Sequence, residues 1–291
     1  MTRSMYPKFS SISTLTALLI CVSSCSAFAH SEHAGHSEPV TAKAAAPASP
    51  SWTSHALLRA NMSRGASPGL KLEAAGSSFD QVQLQTPEVP QAVVLQGGPS
   101  SWTVSKPQMG TGGHLWFVAS KEEGNQVLRA TTYFFFPAKH QVPTEMLRAP
   151  RGGLEIVPMR LQEHGGTREG SRWRFLLRLE NQALANHSLQ LETEGGTRQT
   201  VTSDANGIAE ITFPRDFLAE RLTSKEGMNA RQDFVLSVRH EVGGKQYLTT
   251  YNHSYNPDRM RERSLPIGVG VLALGMVLAT PLLRRKGKKN A

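Results

Sequence analysis

Cysteine is almost missing from this chain. Its 291 residues hold two, Cys21 and Cys25, and both stand near the N-terminus. The remainder therefore has no disulfide, no cysteine nucleophile and no thiolate metal site, and its core alone must hold it together. Also missing are a phosphate-cradling glycine loop, an H-E-x-x-H pair and a nucleophile elbow: GASPG at 65–69 has the letters G-x-S-x-G, but the alternating run GLKLEAA follows it where an elbow needs a helix. With those motifs go the usual signatures of hydrolase, nucleotide and metalloprotease chemistry, and the chain reads as a non-enzyme. No long helical period runs through the middle of the sequence either.

What is present begins with a targeting signal. Arg3 and Lys8 precede the apolar run ISTLTALLICV, which is too short to cross a bilayer, and AFA ends at Ala29. Small-x-small after a short apolar run marks a signal-peptidase cut, so 1–29 reads as a signal peptide. VSSC, ending at Cys25, resembles a bacterial lipobox and offers a rival cut that leaves a lipidated cysteine. Cleavage after Ala29 makes His30 the first residue, with its amine beside its imidazole.

Near the other end, LPIGVGVLALGMVLATPLL (265–283) carries no charge. Nineteen helical residues reach about 28 Å, enough for the hydrocarbon core, so the segment reads as a transmembrane helix. The basic residues of 284–291 follow and mark a cytoplasmic tail. The expected topology is single-pass in a bacterial inner membrane, with the folded part in the periplasm. That topology also accounts for the formal charge of +9. Removing Arg3 and Lys8 with the signal, and Arg284, Arg285, Lys286, Lys288 and Lys289 with the tail, leaves +2. So balanced a surface has no basic footprint for nucleic acid.

Between the two ends, composition divides the chain. Residues 30–68 are rich in His, Ala, Ser and Pro and read as a flexible linker, because they bury too little to offset chain entropy. From GLKLEAA onward short alternating runs are separated by turn residues. In RWRFLLRLE, Trp173, Phe175, Leu177 and Leu179 share one face, while Arg174, Arg178 and Glu180 share the other. Period two means a half-buried strand. QVLRATTYFFF, LEIVPMRL, SLQLETEG, DFVLSVRHE and QYLTTYN read likewise. DANG suits a tight reversal, and DFLAERL is the one plausible short helix. FPAKHQVPTEMLRAPRGG reads as an irregular connection. The expected fold is all-β: one sandwich over 151–258, preceded by a β-rich N-terminal extension or subdomain over 69–150.

GTGGHLWFVAS, LRATTYFFF, GGLEIVPMRL, VTSDANGIAEITFP and YLTTYNHSY together resemble a family of exported immunoglobulin-like domains. Its members are described as periplasmic components of cobalt or nickel uptake systems. The resemblance runs from about Trp102 to the apolar C-terminal segment. It implies an immunoglobulin-like sandwich, a divalent metal (nickel or cobalt) as cargo, and permease and ATPase subunits of a metal transporter as partners. Members carry a histidine-aromatic element near the mature N-terminus. The matching GHLW here, with His114 and Trp116, lies well inside the chain.

Four histidines are the candidate metal ligands. His30, His33 and His36 are spaced by three directly after the expected cut. Neutral imidazole suits nickel, cobalt, copper or zinc, and a flexible segment so spaced can fold around one ion. The other reading is a polar spacer with incidental histidines. His114 opens a strand, either as a ligand or as a buried ring bonded to backbone. His140, His164, His187, His240 and His253 are scattered without ligand spacing. The expected function is a membrane-anchored accessory subunit that captures metal and docks on a transporter; the alternative is a metal-free interaction or assembly module of an envelope or transport complex.

Overall fold

Short alternating runs build strands and little else. The computed structural model describes residues 48–63, 69–105, 108, 113–136, 142–162, 166–218, 227, 230–258, 260–261 and 265–286. All of them belong to the unit Ala45–Ala291. The first seven strands are β1 (Leu57–Ser63), β2 (Gly69–Ala75), β3 (Gln81–Gln85), β4 (Val93–Val94), β5 (Ser101–Val104), β6 (Gly113–Glu123) and β7 (Gln126–Phe136). Helix α1 (Thr144–Arg148) leads to β8 (Leu154–Pro158), β9 (Thr167–Arg168), β10 (Arg172–Leu179), β11 (Gln182–Ala183) and β12 (Ser188–Thr193). Then come β13 (Arg198–Thr202), β14 (Ile208–Thr212), β15 (Gln232–Val242), β16 (Lys245–Asn256) and helix α2 (Leu265–Lys286).

Strand pairing arranges these as two sandwiches of one design. In the first, β1-β2-β5 packs on β4-β3-β6-β7 around Leu58, Leu72, Trp102, Val82, Phe117 and Ala130. In the second, β8-β10-β14 packs on β13-β12-β15-β16 around Ile156, Phe175, Ile211, Leu191, Leu236 and Tyr251. Lettered in chain order, both are A-B-E against C′-C-F-G, the three-on-four layout of immunoglobulin-like and fibronectin type III-like sandwiches. Of the extension and the subdomain expected over 69–150, this packing matches the subdomain. Residues 69–150 complete a sandwich whose first strand, β1, lies inside the stretch 30–68 expected to be a linker.

The two sandwiches share a sheet. The last strand of each, β7 and β16, run side by side in parallel from Gln126 opposite Gln246 to Thr131 opposite Tyr251. One sheet results, in the order β4-β3-β6-β7-β16-β15-β12-β13, with β9 added beside β16. Because the joining strands are parallel, the half-turn that relates the sandwiches runs along the strands and exchanges the faces of the sheet. The two outer sheets therefore cover opposite faces. Side chains follow from this: along β6, Leu115, Phe117 and Ala119 enter the first core, and Trp116 and Val118 enter the second. Successive residues of a strand point to opposite faces, so a strand buried on both sides must be apolar on both.

Several local expectations change. In β10, Trp173, Phe175 and Leu177 are buried as expected, but so is Arg178, which was expected in solvent. It stands opposite Glu155 of β8 and pairs with it at 2.8 Å. DANG does reverse the chain, yet β13 and β14 flank it in different sheets, so it is a sheet-to-sheet crossing rather than a hairpin. The short helix falls in TEMLR, within the expected irregular connection. Of DFLAERL, Asp216–Leu218 are not helical and the remainder lies outside the described residues. Tyr251 and Tyr255 belong to the second core.

The expected transmembrane segment falls within α2, a helix of 22 residues. Its described side chains run only from Val269 to Thr280, and among the described residues no helix is long and apolar enough to cross a membrane. Those described are nonetheless open to the surroundings: Val271, Leu274, Val277 and Leu278 are each at least 60% exposed.

Candidate functional site

The expected arm of His30, His33 and His36 lies outside the described residues, as do His140 and His164. His114 is wholly buried at the start of β6, on the face of the second core, with its ring 4.9 Å from that of its cross-strand neighbour Phe135. Among the described residues no three His, Cys, Asp or Glu side chains gather as a metal site. The described residues thus do not assemble a cage for nickel or cobalt around His114.

A cleft of about 440 Å³ opens where the shared sheet splits. Parallel pairing of β7 with β16 ends at Thr131 and Tyr251. Beyond that point β16 takes β9 as its neighbour at Tyr255 and Asn256. Along Thr132–Phe136, β7 pairs with β6. Thr132 bridges the fork, its hydroxyl donating to the Asn252 carbonyl at 2.9 Å.

Polar side chains from both sandwiches line this cleft. Arg59 of β1 pairs with Asp233 of β15 at 3.4 Å, and both are about 40% exposed. The imidazole of His253 stacks on the Tyr133 ring, with centroids 4.3 Å apart. Burial holds that imidazole neutral, pushing its pKa down to about 4. Burial also raises the Asp233 carboxyl, and the Arg59 guanidinium partly offsets the rise. Tyr133 is pushed up by burial while its hydroxyl accepts from the Gln162 amide at 3.2 Å. The result is a neutral ring pair beside two guanidiniums, Arg59 and Arg231, with Asn61 at the rim. These groups give and accept hydrogen bonds; they do not form a nucleophile–base pair.

A second arrangement joins residues that the sequence leaves far apart. His187 precedes β12 and His240 lies in β15, and the pairing of Gln190 with Ser237 continues to bring them opposite each other. Nε2 of His187 is 2.7 Å from Nδ1 of His240, and Nδ1 of His187 is 2.9 Å from the Ala185 carbonyl. Only the register of β12 on β15 reveals the pair; spacing along the chain gives no hint.

No protein-family model matches the chain. No curated protein matches it either. The cobalt or nickel resemblance therefore has no support from these comparisons. Among solved structures, a bacterial ice-binding adhesin is 13% identical, with 70% of this chain and 65% of that chain covered and a TM-score of 0.23. A two-domain fibronectin type III segment of chicken tenascin is 11% identical, covering 67% of this chain and 96% of that one, with a TM-score of 0.21. The ectodomain of mouse nectin-like molecule 4 gives 9% identity, 73% and 65% coverage and a TM-score of 0.18. Likeness at that level carries no argument about this chain. The assignment as an all-β, immunoglobulin-like protein stands on its own strand pairing.

Proposed function

We propose that the chain is an exported, membrane-anchored accessory subunit whose double sandwich docks within an envelope or transport complex. The observation that carries this reading is the forked cleft. It gathers polar groups from both sandwiches around about 440 Å³ of open space, and an extended segment of a partner can lie there with its side chains against Arg59, Arg231 and Asn61. The apolar segment 265–283 supports the anchor. A helix apolar on every side is stable inside a large core or in lipid, and the exposed valines and leucines of α2 have no core around them. The basic tail fits a cytoplasmic end in a bacterial inner membrane.

Photo-crosslinking in membranes tests the docking. A crosslinker at Asn61 or Arg231 should yield an adduct with an integral subunit of an envelope or transport complex, and one at Glu210, on the outer sheet, should not. Equal adducts at all three positions, or none at the cleft, would reject it.

A second reading, capture of nickel or cobalt for a transporter, is favoured by His30, His33 and His36 directly behind the signal. A tethered arm raises the local metal concentration without tight binding. His114 enters this reading only as a further ligand, and an ion reaching it must displace Phe135. Calorimetric titration of Ni²⁺ and Co²⁺ into the full chain tests it. Binding lost on combined His30→Ala, His33→Ala and His36→Ala supports the arm; binding unchanged rejects it.

A further inference from the structure

The His187–His240 pair has the makings of a cation site of its own. Both rings are half-buried at the open end of the second sandwich, on the face that carries Leu189 and Val238 into the core. The Ala185 carbonyl can only accept, so Nδ1 of His187 bears the hydrogen and Nε2 presents its lone pair towards His240. A backbone carbonyl that fixes the tautomer of one nitrogen and aims the other outward is the support commonly found behind a metal-bound histidine. The hydrogen between the rings then belongs to Nδ1 of His240.

We infer that His187 and His240 form a two-imidazole site for a borderline divalent cation such as Cu²⁺, Ni²⁺ or Zn²⁺. Binding moves the His240 hydrogen from Nδ1 to Nε2 and seats the ion between Nε2 of His187 and Nδ1 of His240, so no proton is lost from the pair. With metal–nitrogen bonds of about 2.0–2.1 Å, the two nitrogens must stand about 2.9–3.4 Å apart for square or tetrahedral geometry. The observed 2.7 Å needs to open by only a few tenths of an ångström, within reach of side-chain torsions at a strand end. Since no third His, Cys, Asp or Glu joins them among the described residues, water completes the coordination. An ion so held stays open to exchange. This site is separate from the N-terminal arm and goes beyond the docking reading.

Cu²⁺ titrated into the full chain in detergent, followed by electron paramagnetic resonance, tests the inference. The chain carries His30→Ala, His33→Ala and His36→Ala to silence the arm. One equivalent should bind with splitting from two imidazole nitrogens, and His187→Gln or His240→Gln should each weaken it by roughly tenfold or more. Both glutamines keep hydrogen-bonding ability, and thermal melts confirm which variants stay folded. Should one variant fail to fold, the other decides. Absence of a two-nitrogen copper signal, or a signal that survives His187→Gln and His240→Gln, overturns the site.

Discussion

The carboxamide of Asn252 in β16 takes both backbone groups of Leu58 in β1, accepting from its amide at 3.0 Å and donating to its carbonyl at 3.0 Å. Two residues earlier, the Thr250 hydroxyl donates to the Ala56 carbonyl at 2.8 Å. Alternate residues of β16 thus stand in for a neighbouring strand and hold the first sandwich against the second. Asn252 is 7% exposed and Leu58 fully buried, so a lost partner is not replaced by water. Asn252→Ala strands two buried backbone groups at about 1–3 kcal/mol each. Urea unfolding should show a loss of about 2–5 kcal/mol; a loss below 1 kcal/mol would mean that this contact does not join the sandwiches.

Glu155 sits between two guanidiniums, 3.0 Å from Arg151 and 2.8 Å from Arg178, with all three side chains at most 6% exposed. Removing one member of a buried ion cluster costs more than the cluster contributes, because the others stay charged. Glu155→Gln should therefore destabilise by about 3–5 kcal/mol in guanidinium unfolding. Adding Arg178→Met should restore part of the loss. Equal stability of the single and double variants would contradict this account.

Stability should depend on acid through His253. Its folded pKa is about 4 against 6.5 in the unfolded chain, mainly from burial. Between those values the unfolded state takes up a proton that the folded state refuses. The stabilisation is thus complete above pH 6.5, falls with pH, and is gone near pH 4, a loss on the order of 3 kcal/mol. His55 is lowered by burial as well and adds in the same direction. Urea midpoints at pH 7.5 and 4.5 should separate more in the native chain than in His253→Phe, which keeps the stack on Tyr133. Equal separation would place the acid sensitivity elsewhere.

The crossing between sheets at DANG depends on two residues. Asp204 Oδ1 accepts from the Asn206 amide at 2.9 Å and the Ile208 amide at 2.8 Å, and Gly207 has φ +74°. A Cβ on Gly207 would lie 2.8 Å from the Leu177 carbonyl oxygen. Gly207→Ala, strained in backbone and in contact, should cost more than Asp204→Ala, which loses about 1–2 kcal/mol of turn hydrogen bonding. Thermal melts rank the two; the reverse order would refute the close approach.

Strands were legible because period two survives in the letters. QVLRATTYFFF is β7 from end to end, and Trp173, Phe175 and Leu177 face inward. Partners were not legible, since pairing is long-range. Arg178 looked solvent-facing until β8 set Glu155 opposite it, and a run apolar on both faces, such as HLWFVA, carried the only sign of a sheet buried from two sides. His187 and His240 lie 53 residues apart, and only register joins them. The expected arm of His30, His33 and His36 lies outside the described residues, so the structure neither adds to it nor subtracts from it.

The shortage of cysteine provides the most direct test of an exported, anchored subunit. Single cysteines at exposed Ser188 and at Lys288 in the tail, in a Cys21→Ser, Cys25→Ser background, can be labelled with an impermeant maleimide in cells whose outer membrane has been opened. Membranes are then washed with alkaline carbonate. The account expects Ser188→Cys to label, Lys288→Cys to stay dark, and both chains to remain with the membrane. Labelling at Lys288→Cys, or release of the chain by carbonate, would contradict it.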